Sequence, residues 1–165
     1  MESLKLTIEP IPSRSALASL ANLLPGPQWD RIRRRVYKRA GYRCQICGRD
    51  ARLHCHEVWH YNVRTGWQWL MGFRALCEDC HGVKHLLSVV NREAFLRLAR
   101  HFMTVNRADR EDFLRHLQLA REKRSVLNRH EWKIGFGDFA FRVPVLRNTE
   151  QRRRFVELER PCYRL

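Results

Sequence analysis

The sequence lacks any apolar run near the roughly 20 residues that a membrane-spanning helix needs, although 44% of its 165 residues are hydrophobic. Its N-terminus lacks the basic region followed by an apolar stretch that marks a secretion signal. Internal repeats and low-complexity tracts are also missing. These absences favour a cytoplasmic globular protein with one modest core over a membrane protein, a repeat array or a disordered chain.

Acidic residues are scarce, with 17 Asp and Glu against 32 Lys and Arg, which gives a formal charge of +15. The excess is largest in residues 31–90, where 12 basic residues face 4 acidic ones. Arginine outnumbers lysine, and its planar guanidinium binds phosphate oxygens in pairs. Because such a basic surface is typical of proteins that bind polyanions, we expect a nucleic-acid partner.

Hydrophobic periodicity predicts helices on both sides of a central segment rich in cysteine and histidine. Apolar residues recur at helical spacing after Asn91 and after Asp109, and both residues fit helix N-caps. The N-terminal stretch LKLTIEPIP fits a short strand or an extended arm. We therefore expect an α+β fold in four parts: an N-terminal arm and helix (1–30), a Cys/His core (31–90), a helical extension (91–130) and a basic C-terminal tail (131–165).

Within the core, two strands and a helix are predicted in that order. The stretch RLHCHEVW fits a strand, and the turn signal RTG separates it from a second apolar run. The segment that begins CEDCHGVKH fits a helix starting at or near a pair of cysteines.

A basic helix precedes these strands. In QWDRIRRRVYKRAGY, Trp29 and Ile32 share an apolar face, and Gly41 fits a C-terminal cap. The opposite face is basic and is either solvated or turned towards phosphates. Together with an arginine cluster in the tail, it supplies the candidate nucleic-acid contacts: Arg31, Arg34, Arg35, Lys38, Arg152, Arg153 and Arg154.

Four of the six cysteines form two closely spaced pairs, Cys44 with Cys47 and Cys77 with Cys80. The spacing lets both thiolates of a pair reach one tetrahedral zinc ion at about 2.3 Å, and cytosolic cysteines seldom form disulfides. The residues between the pairs accommodate the two predicted strands. We therefore expect one structural zinc site, while Cys55 on the first strand is expected to be packed inside the protein.

Three histidines remain to be explained. His81 and His85 lie four residues apart and project from the same face of a helix. His56 lies on the first strand, inside the loop that the zinc closes, so it can meet that helix. Three ligands with positions open for water or substrate are typical of a catalytic metal site. We therefore predict a second divalent metal, and imidazole ligands favour Zn, Ni, Mn or Co over Mg.

The strand LHCHEV, the second strand and LCEDCHGVKH resemble the HNH endonuclease superfamily, in the version where two CxxC pairs bind a structural zinc. The resemblance covers about residues 36–90, and the flanks look like those of small stand-alone bacterial and phage HNH proteins. It implies a ββα-metal core flanked by N-terminal and C-terminal helices. It also implies a metal-dependent endonuclease that hydrolyses phosphodiester bonds of DNA, expected to be double-stranded, one strand per active site. Relatives with carboxylate ligands tend to use Mg, so the missing aspartate favours a transition metal here, with Mg as a further candidate. A homodimer or an accessory protein remains open.

The resemblance further implies a general base directly after the first metal ligand. In that register His56 binds metal and Glu57 takes the base position, where a glutamate is weak unless its pKa is raised. A shift by one residue makes His56 the base and Glu57 the ligand. His60 is a third candidate for the base, and Tyr61 is a fourth.

Two departures from the family pattern favour an alternative function. The middle asparagine of the family is missing near Gly72, where Asn62 could replace it, and the base is not a histidine. The alternative is a zinc-stabilised nucleic-acid-binding protein with a degenerate nuclease site. A third hypothesis is that the protein binds or cuts RNA, because Trp59, Trp67 and Trp69 could stack on unpaired bases.

Overall fold

The computed structural model describes residues 4–13 and 19–136. The predicted α+β class is confirmed, because these residues form a small three-stranded sheet and five α-helices. Among them, no helix combines the length and the apolar composition that crossing a membrane requires. The elements are α1 (Leu20–Leu23), α2 (Gly26–Arg39), β1 (Leu53–Asn62), β2 (Trp67–Cys77), α3 (Glu78–Lys84), α4 (Arg92–Asn106), α5 (Arg110–Leu127) and β3 (Lys133–Gly135).

The strands β1 and β2 form an antiparallel hairpin, and β3 pairs in parallel with the start of β2. Gly66 in the predicted RTG turn has φ +68°, a conformation that glycine adopts at no steric cost. The first strand runs to Asn62, further than the sequence pattern indicated, because its last residues pair with the start of β2. The register shifts between Val58 and Trp59, where β2 carries one extra residue.

Side-chain alternation gives the sheet two different faces. On one face, Trp59 packs with Leu70 and with the apolar side of α2, which includes Trp29 and Ile32. On the other face, His54 and the residues that alternate with it are turned towards α3. The sheet therefore separates the basic helix α2 from the helix that carries the paired histidines.

The larger core lies among α3, α4 and α5. Phe102 is completely buried there and packs against Phe113, with ring centroids 5.4 Å apart. The side chains of Asn91 and Asp109 accept amide hydrogen bonds at the starts of α4 and α5, which confirms both predicted N-caps. Helix α3 lies close to α4, since a Cβ on Gly82 would come within 2.7 Å of the Leu98 side chain.

Residues 4–13 form an extended N-terminal arm, one of the two forms that the sequence left open. The Leu6 amide donates to Asn106 Oδ1 at 3.0 Å, and Asn106 Nδ2 donates back to the Leu6 carbonyl at 2.8 Å. The Ile8 amide donates to Nε2 of His116 at 3.0 Å. Because Leu6 and Ile8 are also buried, the arm is fixed to the helical part by backbone and side chains alike.

Candidate metal centres

The four predicted zinc cysteines meet at one point, with their sulfur atoms all within 4.8 Å of one another. The first pair lies on a tight turn after α2, where the amide of Gly48 donates to the carbonyl of Cys44 at 2.9 Å. The second pair lies at the junction of β2 and α3, and Cys47 Sγ is 3.6 Å from Cys77 Sγ. This cluster can hold a structural metal ion such as zinc.

The thiols of this cluster differ in their readiness to ionise. Burial disfavours the Cys44 thiolate, but backbone amides, among them those of Cys47 and Cys77, outweigh it and lower the pKa of Cys44 to about 7. Burial, reinforced by the negative charge of Cys44, raises the pKa of Cys77 to about 11, and burial also raises that of Cys80. Because cysteine binds metals as the thiolate, a cation that binds here would have to displace the remaining thiol protons.

A polar network supports the second cysteine pair. Asp79, which lies between Cys77 and Cys80, pairs with Arg49 of the turn at 3.0 Å and with Arg97 of α4. Nε2 of His101 lies 3.2 Å from the sulfur of Cys80. These contacts tie the cysteine cluster to α4, a link that the sequence pattern did not indicate.

The three predicted histidine ligands also come together. His56, His81 and His85 each offer one ring nitrogen, and these nitrogens lie within 4.8 Å of one another. His56 comes from β1 and is 2% exposed. His81 lies in α3, His85 is the C-cap of that helix, and both are half-buried. The ring centroid of His56 is 5.3 Å from that of each partner. The strand and helix spacing thus produces the trio that the sequence predicted.

His81 and His85 are uncharged at neutral pH. Burial, with the neighbouring imidazoles adding to it, lowers the pKa of His81 to about 3 and that of His85 to about 4. Rings this close would repel one another if all were protonated. Neutral imidazole is the form that binds metals, so the donor set fits a divalent cation.

An acidic residue that the sequence analysis missed reaches this cluster from the N-terminal arm. Glu9 Oε2 lies 2.9 Å from Nε2 of His56, and Glu9 Oε1 lies 3.1 Å from Nζ of the buried Lys84. Burial opposes ionisation, but His56 and Lys84 outweigh it and lower the pKa of Glu9 to about 2. Glu9 is therefore a carboxylate at any ordinary pH.

His54 was also missed. It precedes His56 by two residues on β1, so strand alternation places both on the same face. Its ring stacks on that of His81, with centroids 5.0 Å apart and planes 6° from parallel. The alternating pattern His54-Cys55-His56 was the sequence signal that could have found it.

Glu57, the candidate base of the family register, is not brought to the histidine cluster. It lies on the opposite face of β1, where Oε1 accepts from the Leu20 amide at 2.7 Å and from the Ser19 hydroxyl at 3.2 Å. Its Oε2 accepts from the Trp59 indole at 3.0 Å. Burial raises the pKa of Glu57, although the hydrogen bonds from these three donors act to lower it. The carboxylate fixes the start of α1 to the sheet.

The remaining candidates lie further along β1. His60 is exposed and shares a face with His56, but four residues of strand separate them by about 13 Å. The Tyr61 ring packs edge-on against that of Trp132. The Asn62 side chain accepts two amide hydrogen bonds inside the hairpin turn. The structure therefore brings none of these three to the histidine cluster.

The predicted basic stripe is exposed along α2, on the far side of the sheet from the histidines; it comprises Arg31, Arg34, Arg35 and Lys38. Arg152, Arg153 and Arg154 lie outside the described residues, as does Cys162. One further cation lies on the strand next to His56. Arg74 pairs directly with His56 across the hairpin and is exposed. Cross-strand partners share a face about 5 Å apart, so Arg74 flanks the histidine cluster.

The tryptophans considered for base stacking have packing contacts. Trp67 is 6% exposed, and its ring stacks on that of Trp69 at 4.9 Å. Trp69 in turn covers Gly135 of β3, where a Cβ would lie 2.0 Å from the ring. Cys55, expected to be packed inside, is partly buried, and burial raises its thiol pKa to about 12.

Comparison of the chain with protein-family models, with curated proteins and with solved structures gives no match. The functional conclusion therefore depends on the chemistry of the two clusters and on the surfaces around them.

Proposed function

We propose that the protein is a metal-dependent HNH endonuclease that hydrolyses DNA phosphodiester bonds, one strand per active site. The observation that carries this proposal is the meeting of three imidazoles between β1 and α3, next to a four-cysteine cluster. Strand, strand and helix follow one another in the order that the ββα-metal core requires. The candidate metal ligands also lie where the HNH resemblance places them, on the first strand and on the helix.

The donor set determines which metals suit the histidine cluster. Three nitrogen ligands favour Zn, Ni or Mn, with Mg as the weaker candidate. A divalent ion held by His56, His81 and His85 would act as a Lewis acid on the scissile phosphate and would stabilise the leaving oxygen. The structural zinc would be held separately by the four cysteines.

The chain's own side chains bind and orient the substrate. Arg74, exposed beside His56, is well situated to pair with non-bridging oxygens of the scissile phosphate. The stripe on α2 and the arginine cluster of the tail would hold more distant phosphates, contacts that position DNA without reading its sequence. The excess of positive charge also speeds the approach of a polyanion.

A water proton must pass to a base near the cluster. Glu57 is engaged on the other face of the sheet, which makes His54 the stronger candidate. His54 contacts His81 without belonging to the ligand trio. His60 is the weaker candidate, because about 13 Å of strand separates it from His56.

Nicking of supercoiled plasmid in the presence of Mg, Mn, Ni or Zn tests the proposal. We expect metal-dependent nicking by the wild type and none by His81→Ala. His130→Ala is the matched control, because His130 packs beside Trp132, outside the cluster, and it should cut like the wild type. Among the base candidates, His54→Ala should reduce the rate more than Glu57→Gln or His60→Ala. Equal cutting by His81→Ala and the wild type would refute the assignment.

A second function is favoured by one observation: the residue at the family's base position fixes α1 instead of facing the histidines. The protein would then be a zinc-stabilised nucleic-acid-binding protein with a degenerate nuclease site. In that case the wild type should retard duplex DNA in a gel and leave it intact with every metal tried.

A further inference from the structure

The N-terminal arm presents one acidic side chain to the histidine cluster and holds it there from two sides. The Glu9 amide donates to the Lys84 carbonyl at 3.0 Å, so the backbone of the arm is fixed at the end of α3. The Glu9 carboxylate lies between His56 Nε2, at 2.9 Å, and Lys84 Nζ, at 3.1 Å. Lys84 also donates to Thr7 Oγ1 at 2.9 Å. Both oxygens of the carboxylate are therefore engaged.

The hydrogen bond determines the tautomer of His56. A carboxylate has no proton to give, so the shared hydrogen must belong to Nε2 of His56. A neutral imidazole carries one N–H, and its lone pair is then on Nδ1. His56 is 2% exposed, so water does not compete for Nε2. Histidines that bind metals commonly donate their other N–H to a carboxylate, which orients the ring and makes it a better donor.

We propose that Glu9 is a positioning residue of the histidine metal site. Its carboxylate fixes the ring and the tautomer of His56, so that Nδ1 is the atom available to a divalent cation. This inference rests on the proposed function, because it requires that the three histidines bind such a cation. Glu9 acts through His56 and is not a ligand: ligand atoms of one ion would all lie close together, and the mutually close set consists of the three histidines.

The test must remove the carboxylate without leaving Lys84 as an unpaired buried charge, which would destabilise the fold by itself. Two double variants achieve this. Glu9→Met with Lys84→Met, called the Met/Met variant, removes both charges at similar volume. Glu9→Gln with Lys84→Met, called the Gln/Met variant, has the same background but keeps a carbonyl oxygen that can accept from His56. Lys84→Met alone retains the carboxylate, and circular dichroism checks that all three variants are folded.

The first readout is Ni²⁺ affinity, measured by titration calorimetry on the full chain with its cysteine cluster loaded with zinc. We expect the Met/Met variant to bind Ni²⁺ about 10–100-fold more weakly than the wild type. The Gln/Met variant should recover most of that loss, and Lys84→Met alone should bind like the wild type. The second readout, taken without Ni²⁺, is the nitrogen NMR spectrum of the imidazoles. His56 should show a protonated Nε2 and a bare Nδ1 in the wild type, and a mixture of tautomers in Met/Met.

Three results would overturn the proposal. Equal Ni²⁺ affinity in the wild type and in Met/Met would show that the carboxylate does not assist the site. Equal losses in both double variants would make Glu9 a direct ligand instead. If the wild type binds no divalent ion although NMR finds the expected tautomer, the proposed metal site itself fails, and the role of Glu9 fails with it.

Discussion

Replacing Glu57 separates the structural role of this residue from the catalytic role that the family register gives it. One carboxylate oxygen accepts from Leu20 and Ser19 and the other from Trp59, so all the groups around it are donors. A glutamine at this position turns one acceptor into a donor, and either orientation leaves at least one of these donors without a partner. A buried donor without an acceptor costs about 1–3 kcal/mol. We expect Glu57→Gln to lower the free energy of unfolding by that amount.

Thermal unfolding at pH 8, with zinc present throughout, measures the effect. For a chain of this size, each kcal/mol lowers the melting temperature by roughly 2–4 °C. Glu131→Gln, which changes an exposed carboxylate, should stay within about 0.5 kcal/mol of the wild type. Below its melting temperature, Glu57→Gln should still nick plasmid. An unchanged melting temperature combined with lost nicking would refute this reasoning and restore Glu57 as the base.

Three further predictions concern the scaffold. Chelation of zinc should lower the melting temperature of the wild type and of Cys55→Ser alike. Cys77→Ser should already melt at a lower temperature and respond little to the chelator. Identical responses in all three proteins would argue against the cysteine site. Gly135→Ala would drive a Cβ into the ring of Trp69 and should cost about 1–3 kcal/mol in urea unfolding; a neutral result would contradict the close contact. Asn106→Ala removes both hydrogen bonds from this side chain to the backbone of the N-terminal arm. It should therefore speed proteolysis within the arm. Unchanged cleavage would show that other contacts hold the arm.

Local spacing made the paired members of both clusters predictable from the sequence. Two cysteines separated by two residues, or two histidines four apart on a helix, have a relative geometry that the backbone alone determines. The same holds for Asn91 and Asp109, because an N-cap bonds only to amides within its own first turn.

Contacts that depend on tertiary packing were not predictable. Glu9 precedes His56 by 47 residues, and the docking of the arm against α3, α4 and α5 brings the two together. The pairing of Arg74 with His56 depends on the hairpin register, which one extra residue in β2 shifts. Glu57 is the instructive exception. Alternation along β1 already implied that neighbouring residues point to opposite faces, so the separation of Glu57 from His56 was available from the sequence.

The central claim is that the three histidines bind a divalent metal and that this site cuts DNA. The most direct test is to follow supercoiled plasmid with the zinc-loaded protein, with and without added Mn²⁺ or Ni²⁺, for the wild type and His85→Ala. We expect open-circular DNA to accumulate before linear DNA, only with added metal, and only with the wild type. Plasmid that is bound but stays supercoiled with every metal, or that is nicked equally by His85→Ala, would contradict it.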